Sequence, residues 1–349
     1  MGGYVSQTRE NVETEQSTGG HGGLSASLKA AGRWFRRAGV SGQLLTLLIV
    51  AAIFAVGTKG RFLSLVNLQV ILSLAAIPAI IAVGLHQVVV LGGIDLSVEG
   101  VVALCVVFVG LLLRNKVNTN DVGFWIVPIV IGIGGIAGFV SGLFNTRLKI
   151  PSFIATLGMS WILWGLAVYI SRGQTVALLD TRFEVIVTGN VFGIPILAII
   201  ALAIVVVLQF VQNGTRFGRY LYAIGGDETL SRQAGVKVER IKMIVFTLAG
   251  LFYGLSAFFL STRLGGSQAI TGNNLLFPAV TAVAVGGVAL TGGIGGAKNA
   301  ALGALIVTAL NDGLILMHVN PYAQDAVNGA VLVAAVALTI DRRKLGFIK

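Results

Sequence analysis

"TRFGRYLYAIGGDETLSRQAGVKVERIK", residues 215–242, is polar and helix-prone, and it carries Arg216, Arg219, Arg232, Lys237, Arg240 and Lys242. On either side of it the chain is almost wholly apolar. A long polar segment between two oily regions reads as a loop that leaves hydrocarbon for water. The fold that follows is an all-α integral membrane protein whose middle emerges on one face.

Composition supports this. Of 349 residues, 55% are hydrophobic and 11% charged, and the mean hydropathy is +0.89. A soluble domain carries about 25% charged residues, so this chain lacks the polar surface to coat itself in water. Its 47 glycines suit membrane helices, whose backbones approach closely at small residues. The net charge of +11 resides mostly between oily runs, as in loops retained on the cytoplasmic side, and no nucleic-acid partner is expected. Cys105 is the single cysteine and sits in an apolar run. That excludes an internal disulfide and a Cys-rich metal site, leaving a packing role. His21, His86 and His318 are scattered and form no ligand cluster, so neither metal nor cofactor is expected. His86, inside an apolar run, either lines a cavity or hydrogen-bonds between helices, the commoner case.

Residues 1–26 are polar and read as a disordered cytoplasmic tail, dispensable for function. Residues 27–42 form a basic flank. In "SLKAAGRWFRRAG" (27–39), Leu28, Ala31, Trp34 and Phe35 can share one helical face, with Lys29, Arg33, Arg36 and Arg37 on the rest. That suits a helix on an anionic membrane surface or a plain flank that orients the first span. A secretory signal would place its apolar core much nearer Met1.

A membrane-spanning helix needs about 20 mostly apolar residues. Ten stretches are predicted: 43–58, 67–91, 97–113, 124–144, 151–171, 191–211, 242–262, 276–294, 299–317 and 324–341. The first, third, eighth and tenth are short or broken by glycine. The membrane domain is 43–341, with 213–241 as a cytoplasmic loop and 342–349 as a basic cytoplasmic tail. With both termini cytoplasmic, "NTRLK" (Arg147, Lys149), the opening stretch and the tail (Arg342, Arg343, Lys344, Lys349) lie inside, as the positive-inside rule requires. The loop 172–190 lies outside and balances Arg172 and Arg182 against Asp180 and Glu184. Lys59 with Arg61, and Arg114 with Lys116, run against the rule.

Two stretches are interrupted alike. "VVVLGGIDLSVEGVVAL" (88–104) contains Gly92-Gly93, and "VAVGGVALTGGIGGAKNAALGALI" (283–306) contains Gly286-Gly287, Gly292-Gly293 and Gly295-Gly296. Paired broken segments in two halves of a membrane protein point to a transport path. Two independent Gly-rich turns would read the same. "GGIGGAKNA" is no phosphate loop, which needs G-x-x-x-x-G-K-[ST]. Ala297 and Asn299 stand where the second Gly and the hydroxyl belong, and no other catalytic machinery is apparent.

Polar groups inside the apolar runs are candidate path residues, since an ionisable side chain within a bilayer costs several kcal/mol. They are Asp95, Ser97, Glu99, Asn145, Thr156, Asn311 and Asp312, with Ser160 one turn beyond Thr156. Asp95 and Glu99 are four apart and are expected on one helical face. These groups either hydrogen-bond a polyhydroxylated solute along a hydrated route or cap broken helices and join helices together. Within the opening stretch, "DETLSRQAGVK" (227–237) begins with acids and reaches Gly235, a helix-stop signal. It predicts a short helix on the cytoplasmic face, suited to docking another protein.

Over residues 40–345 the chain resembles the permease subunits of bacterial ABC importers for ribose, xylose, galactose and related monosaccharides. The resemblance rests on four stretches in order: "GGIDLSVEGVVAL" (92–104), "IPSFIATLGM" (150–159), the opening stretch and "NPYAQDAVNGAVLVAAVAL" (320–338). It implies that the opening stretch holds a coupling helix that docks in a separate ATPase, with Gly218, Arg219, Ala223, Gly225, Glu228 and Gly235 at the family's positions. The chain departs from the family at Asp227, at Thr229-Leu230-Ser231 and at Ala297-Lys298-Asn299. The resemblance further implies a second permease chain, as a homodimer, a periplasmic or lipid-anchored solute-binding protein, and a multi-pass place in the bacterial plasma membrane among its lipids. The alternatives are an ion-coupled secondary transporter using Asp95, Glu99 and Asp312, and an ABC permease for a branched amino acid or nucleoside.

Overall fold

The computed structural model describes residues 40–339. The tail 1–26, most of the basic flank 27–42, and the tail 342–349 lie outside the described residues. The chain is nearly all helix: α1 (Val40–Gly57), α2 (Leu65–Val90), α3 (Val98–Leu112), α4 (Ile126–Thr146), α5 (Ser152–Ser171), α6 (Glu184–Thr188), α7 (Ile196–Gly214), α8 (Arg216–Gly226), α9 (Glu228–Gln233), α10 (Val238–Leu264), α11 (Leu276–Val285), α12 (Ala297–Leu316) and α13 (Pro321–Thr339). Two-residue strands β1 (Val176–Ala177) and β4 (Gly266–Ser267) pair antiparallel, as do β2 (Asn190–Val191) and β3 (Ile194–Pro195).

Each of the ten predicted stretches contains a helix, and among the described residues six helical segments are long and apolar enough to cross a membrane. Three others are shorter apolar helices, in the first, third and eighth stretches. The third is a helix of 15 residues, α3. The eighth is helical only over the 10 residues of α11. After it, Gly287, Gly292, Gly293 and Gly295 take positive φ, which ends the helix and turns the chain through 286–296. The sixth begins late, at Ile196, because Asn190–Pro195 is a hairpin. The opening stretch forms two helices, α8 and α9, where one was expected.

The bundle is built around α10, which packs on α2, α3 and α4. Glycine permits the closest of these contacts. A Cβ on Gly134 of α4 would lie 2.2 Å from the carbonyl of Gly250, and one on Gly138 would lie 2.1 Å from that of Phe246. Backbones this close gain van der Waals contact where lipid offers no hydrophobic drive.

The loops sort to two ends. At one end the α4–α5 loop meets α9 and the start of α10 around a cavity of about 300 Å³, lined by Asn145, Lys149, Glu228, Arg232, Glu239 and Lys242. At the other end Arg182 bonds Asp121 and Asp180, Asn115 bridges Leu178, and β1 pairs β4. The exposed aromatics Trp125, Tyr169 and Tyr322 mark helix ends on this second side, where an aromatic belt is expected.

Candidate functional site

The first interruption runs from Leu91 to Ser97, between α2 and α3. The Leu91, Gly92 and Gly93 amides still donate to α2 carbonyls, but those of Ile94 and Leu96, and that of Gly100 in the first turn of α3, have no helical partner, and an amide left unpaired away from water costs about 1–3 kcal/mol. One face of α5 supplies them. Ser152 Oγ accepts from the Ile94 amide at 3.0 Å, Thr156 Oγ1 from Leu96 at 2.9 Å, and Ser160 Oγ from Gly100 at 3.2 Å. The spacing of four places these hydroxyls one above another, with Thr156 donating to the Ser152 carbonyl at 2.8 Å. Gly100 permits the approach, since a Cβ there would sit 2.2 Å from the Ser160 carbonyl.

Asp95 lies within the interruption, so it does not share a helical face with Glu99. The four-residue argument fails because α3 starts only at Val98. Asp95 is buried, and Oδ1 accepts from the Ser97 amide at 2.8 Å and hydroxyl at 2.6 Å, while Oδ2 accepts from Tyr253 of α10 at 3.0 Å. Glu99, in the first turn of α3, reaches the second broken element: its Oε1 accepts from the Leu276 amide, the first of α11, at 3.2 Å. Two half-length helices thus begin side by side, one capping the other.

The second interruption is held from three sides. Its Gly293 amide donates to the Val90 carbonyl at 2.8 Å, where α2 ends. Gln43 of α1 donates to the Gly286 carbonyl, as does Asn299 at 3.2 Å. The start of α12 is capped from α7: Gln212 Oε1 accepts from Ala297 at 3.1 Å and Gln209 Oε1 from Lys298 at 3.1 Å. Gln212 also donates to His86 Nε2 at 2.6 Å, and His86 Nδ1 donates to the Val83 carbonyl. His86 is therefore a hydrogen-bonded interhelical histidine.

The remaining candidates lie apart. Asn67, at the start of α2, donates to Asp312 Oδ2 at 2.8 Å, whereas Asp95 follows the far end of that helix. At 1.5 Å per residue the two ends are roughly 35 Å apart. Asn311 is next to Asp312, and its Oδ1 is buried with no protein partner. Asn145 donates to the Ile150 carbonyl at 2.9 Å, at the end that carries α8 and α9. Gln87 Oε1 and Ser256 Oγ are also buried without a protein partner. Sequence reading passed over both, and over Ser152 and Tyr253. Only Ser152 had a signal, the Ser-x3-Thr-x3-Ser spacing.

In the opening stretch, Thr215 caps α8 by accepting from Gly218 at 3.3 Å, and Asp227 caps α9 by accepting from Leu230 at 2.9 Å. Gly235 takes φ 82° and donates to the Arg232 carbonyl, while Val236 donates to that of Ser231, the Schellman stop. Arg219 and Ala223 are exposed. Glu228 accepts from Lys242 at 2.6 Å and pairs with Arg232, which also holds Glu239. Hydrogen bonds donated to Glu239, then to Glu228, raise the Arg232 guanidinium above its ordinary pKa. Gly218 and Gly225 face inward. A Cβ on Gly218 would lie 1.9 Å from the Gln212 carbonyl, and one on Gly225 would lie 1.8 Å from that of Val90.

A family model described as "Branched-chain amino acid transport system / permease component" matches residues 67–336. A ribose import permease protein of Haemophilus influenzae is 34% identical over 298 residues, covering 84% of this chain and 91% of that protein. One from Bacillus subtilis is 35% identical over 307 residues, 87% of this chain and 92% of that protein. A galactose/methyl galactoside import permease protein of Salmonella typhimurium is 32% identical over 320 residues, covering 87% and 94%. No solved structure matches the chain. Family match, relatives and apolar helices together place this chain among the multi-pass membrane permease subunits of bacterial ABC importers.

Proposed function

We propose that this chain forms the membrane path for a monosaccharide of the ribose or galactose class. The observation that carries this is full-length likeness, over 84–87% of the chain, to permeases named for those two sugars. The family model's own description favours a branched-chain amino acid, which makes that solute the specific competitor. In this reading ten helices cross the bilayer, three of them short, and α8 with α9 lies in the cytoplasm with both termini. The end carrying Arg147, Lys149, Arg216, Arg219, Lys237 and Arg240 is then the inner one, as positive-inside bias requires.

A sugar delivered by an external solute-binding protein passes between two copies of this chain. A separate ATPase docks on the exposed side of 213–241, where Arg219 and Ala223 are presented, and nucleotide-driven movement there exposes the path to alternate sides. Asn311, Ser256 and Gln87 support a polar route, because each keeps hydrogen-bonding capacity that the described residues do not use. An ion-coupled mechanism finds little support. Asp95 accepts at both oxygens, and Glu99 and Asp312 are each engaged.

The test is the affinity of the solute-binding protein that partners this chain for a panel of pentoses, hexoses and branched amino acids. Tight binding of a branched amino acid and of no sugar would overturn the sugar assignment. Uptake by the purified chain alone in liposomes, abolished by an ionophore, would overturn ATP coupling.

A further inference from the structure

Three diglycines far apart in sequence meet in space. Gly225-Gly226 ends α8, Gly92-Gly93 opens the first interruption, and Gly292-Gly293 lies in the second. A Cβ on Gly225 would fall 1.8 Å from the Val90 carbonyl and 2.6 Å from the Gly293 amide. One on Gly292 would fall 2.8 Å from the Gly225 carbonyl and 2.9 Å from the Gly92 amide. These are backbone-to-backbone contacts that any side chain would prise apart. One turn earlier on α8, Tyr222 donates its hydroxyl to the Gly295 carbonyl at 2.7 Å. The Gly293–Val90 hydrogen bond closes the arrangement.

The geometry points to Tyr222 and Gly225 as positioning residues that join α8 to both interrupted stretches, so that a displacement of α8 moves the two together. Gly225 seats the backbone of α8 against the end of α2, and Tyr222 holds the loop before α12. Both act through the packing of α8, with no contact to ATPase or solute required. The alternative arrangement, in which α8 pushes on α7 and α10 alone, would leave the interruptions to respond separately. This inference rests on the coupling role proposed for 213–241, and its test keeps the two apart.

The permease is purified from its own host membranes with whatever ATPase accompanies it. Backbone hydrogen exchange of 88–96 and 289–297 is then followed with and without a non-hydrolysable ATP analogue. In the unmodified complex both stretches should respond to nucleotide together. Tyr222→Phe removes one neutral hydrogen bond, about 1 kcal/mol, and should cut the response of both stretches about fivefold while the co-purified ATPase is retained. Gly225→Ala should do the same or more. Gly132→Ala, in α4 and outside 213–241, is the control, because a Cβ there meets nothing within 4 Å, and it should respond as the unmodified chain does. If Gly225→Ala fails to accumulate, Tyr222→Phe decides alone. An unchanged response in Tyr222→Phe, or a response confined to one stretch in the unmodified complex, overturns the joining role and leaves the coupling role standing. Absence of any co-purifying ATPase from the unmodified chain overturns the coupling role, and this inference with it.

Discussion

The amide of Gly293 donates to the carbonyl of Val90 at 2.8 Å, joining the loop before α12 to the last residue of α2. Two helices on different halves of the chain thus break at the same place. Each leaves a short helix next to the break, and Glu99 of one caps the other. Discontinuous helices of this kind, with irregular backbone buried in protein, are how transporters tolerate unwound chain inside a bilayer.

Tyr253→Phe leaves Asp95 Oδ2 buried without its partner, and this should lower stability by about 1–3 kcal/mol. The measurement is thermal unfolding in detergent. Asp95→Ala should be worse, since the Ser97 amide and hydroxyl also lose their acceptor. Equal stability of all three chains would show that the contact is not maintained.

Thr156→Val keeps shape but removes the acceptor for the Leu96 amide. Exchange at Leu96 should accelerate about tenfold, with a loss of ~1–2 kcal/mol. Ser152→Ala and Ser160→Ala should act in the same way on Ile94 and Gly100. Effects spread evenly over the three amides in every variant would contradict one-to-one pairing.

Gly134→Ala places a Cβ 2.2 Å from the Gly250 carbonyl, whereas Gly132→Ala meets nothing within 4 Å. The first should deplete the protein from membranes and the second should not. Similar membrane levels for both, read by quantitative blotting, would mean that α4 and α10 do not pack at this distance.

Hydrogen bonds from Arg182 hold the Asp121 and Asp180 carboxyls below their ordinary values. Folded-state values below the unfolded ones contribute stability above about pH 4, lost only as pH falls through the lowered values. Exchange in 113–122 and 172–183, corrected for intrinsic rate, should therefore be flat from pH 8 to pH 5 and rise in stronger acid. Loosening between pH 7 and pH 5 would rule out these pairs as the fastening.

Much of the architecture was legible because it depends on local composition. Lipid demands helices about 20 residues long, so apolar runs announced them, and Asp227 and Gly235 marked the limits of α9 by their own chemistry. The site was less legible. Asp95 and Glu99 looked like one face because spacing assumes an unbroken helix, and nothing local tells where α3 begins. Nothing local told that Thr156, a candidate path residue by its polarity, accepts from the Leu96 amide.

The sequence by itself determined that this chain lives in a membrane and where most of its helices lie, and it set the expectation that residues 215–242 leave the bilayer. Tertiary structure alone decided that the two glycine interruptions touch, that Tyr253 reaches Asp95 and that Tyr222 reaches Gly295. The physical reason is that hydrophobicity and helix-stop signals act over a few residues. The partner of an unpaired backbone group is set instead by which segments the packed bundle brings within about 3 Å.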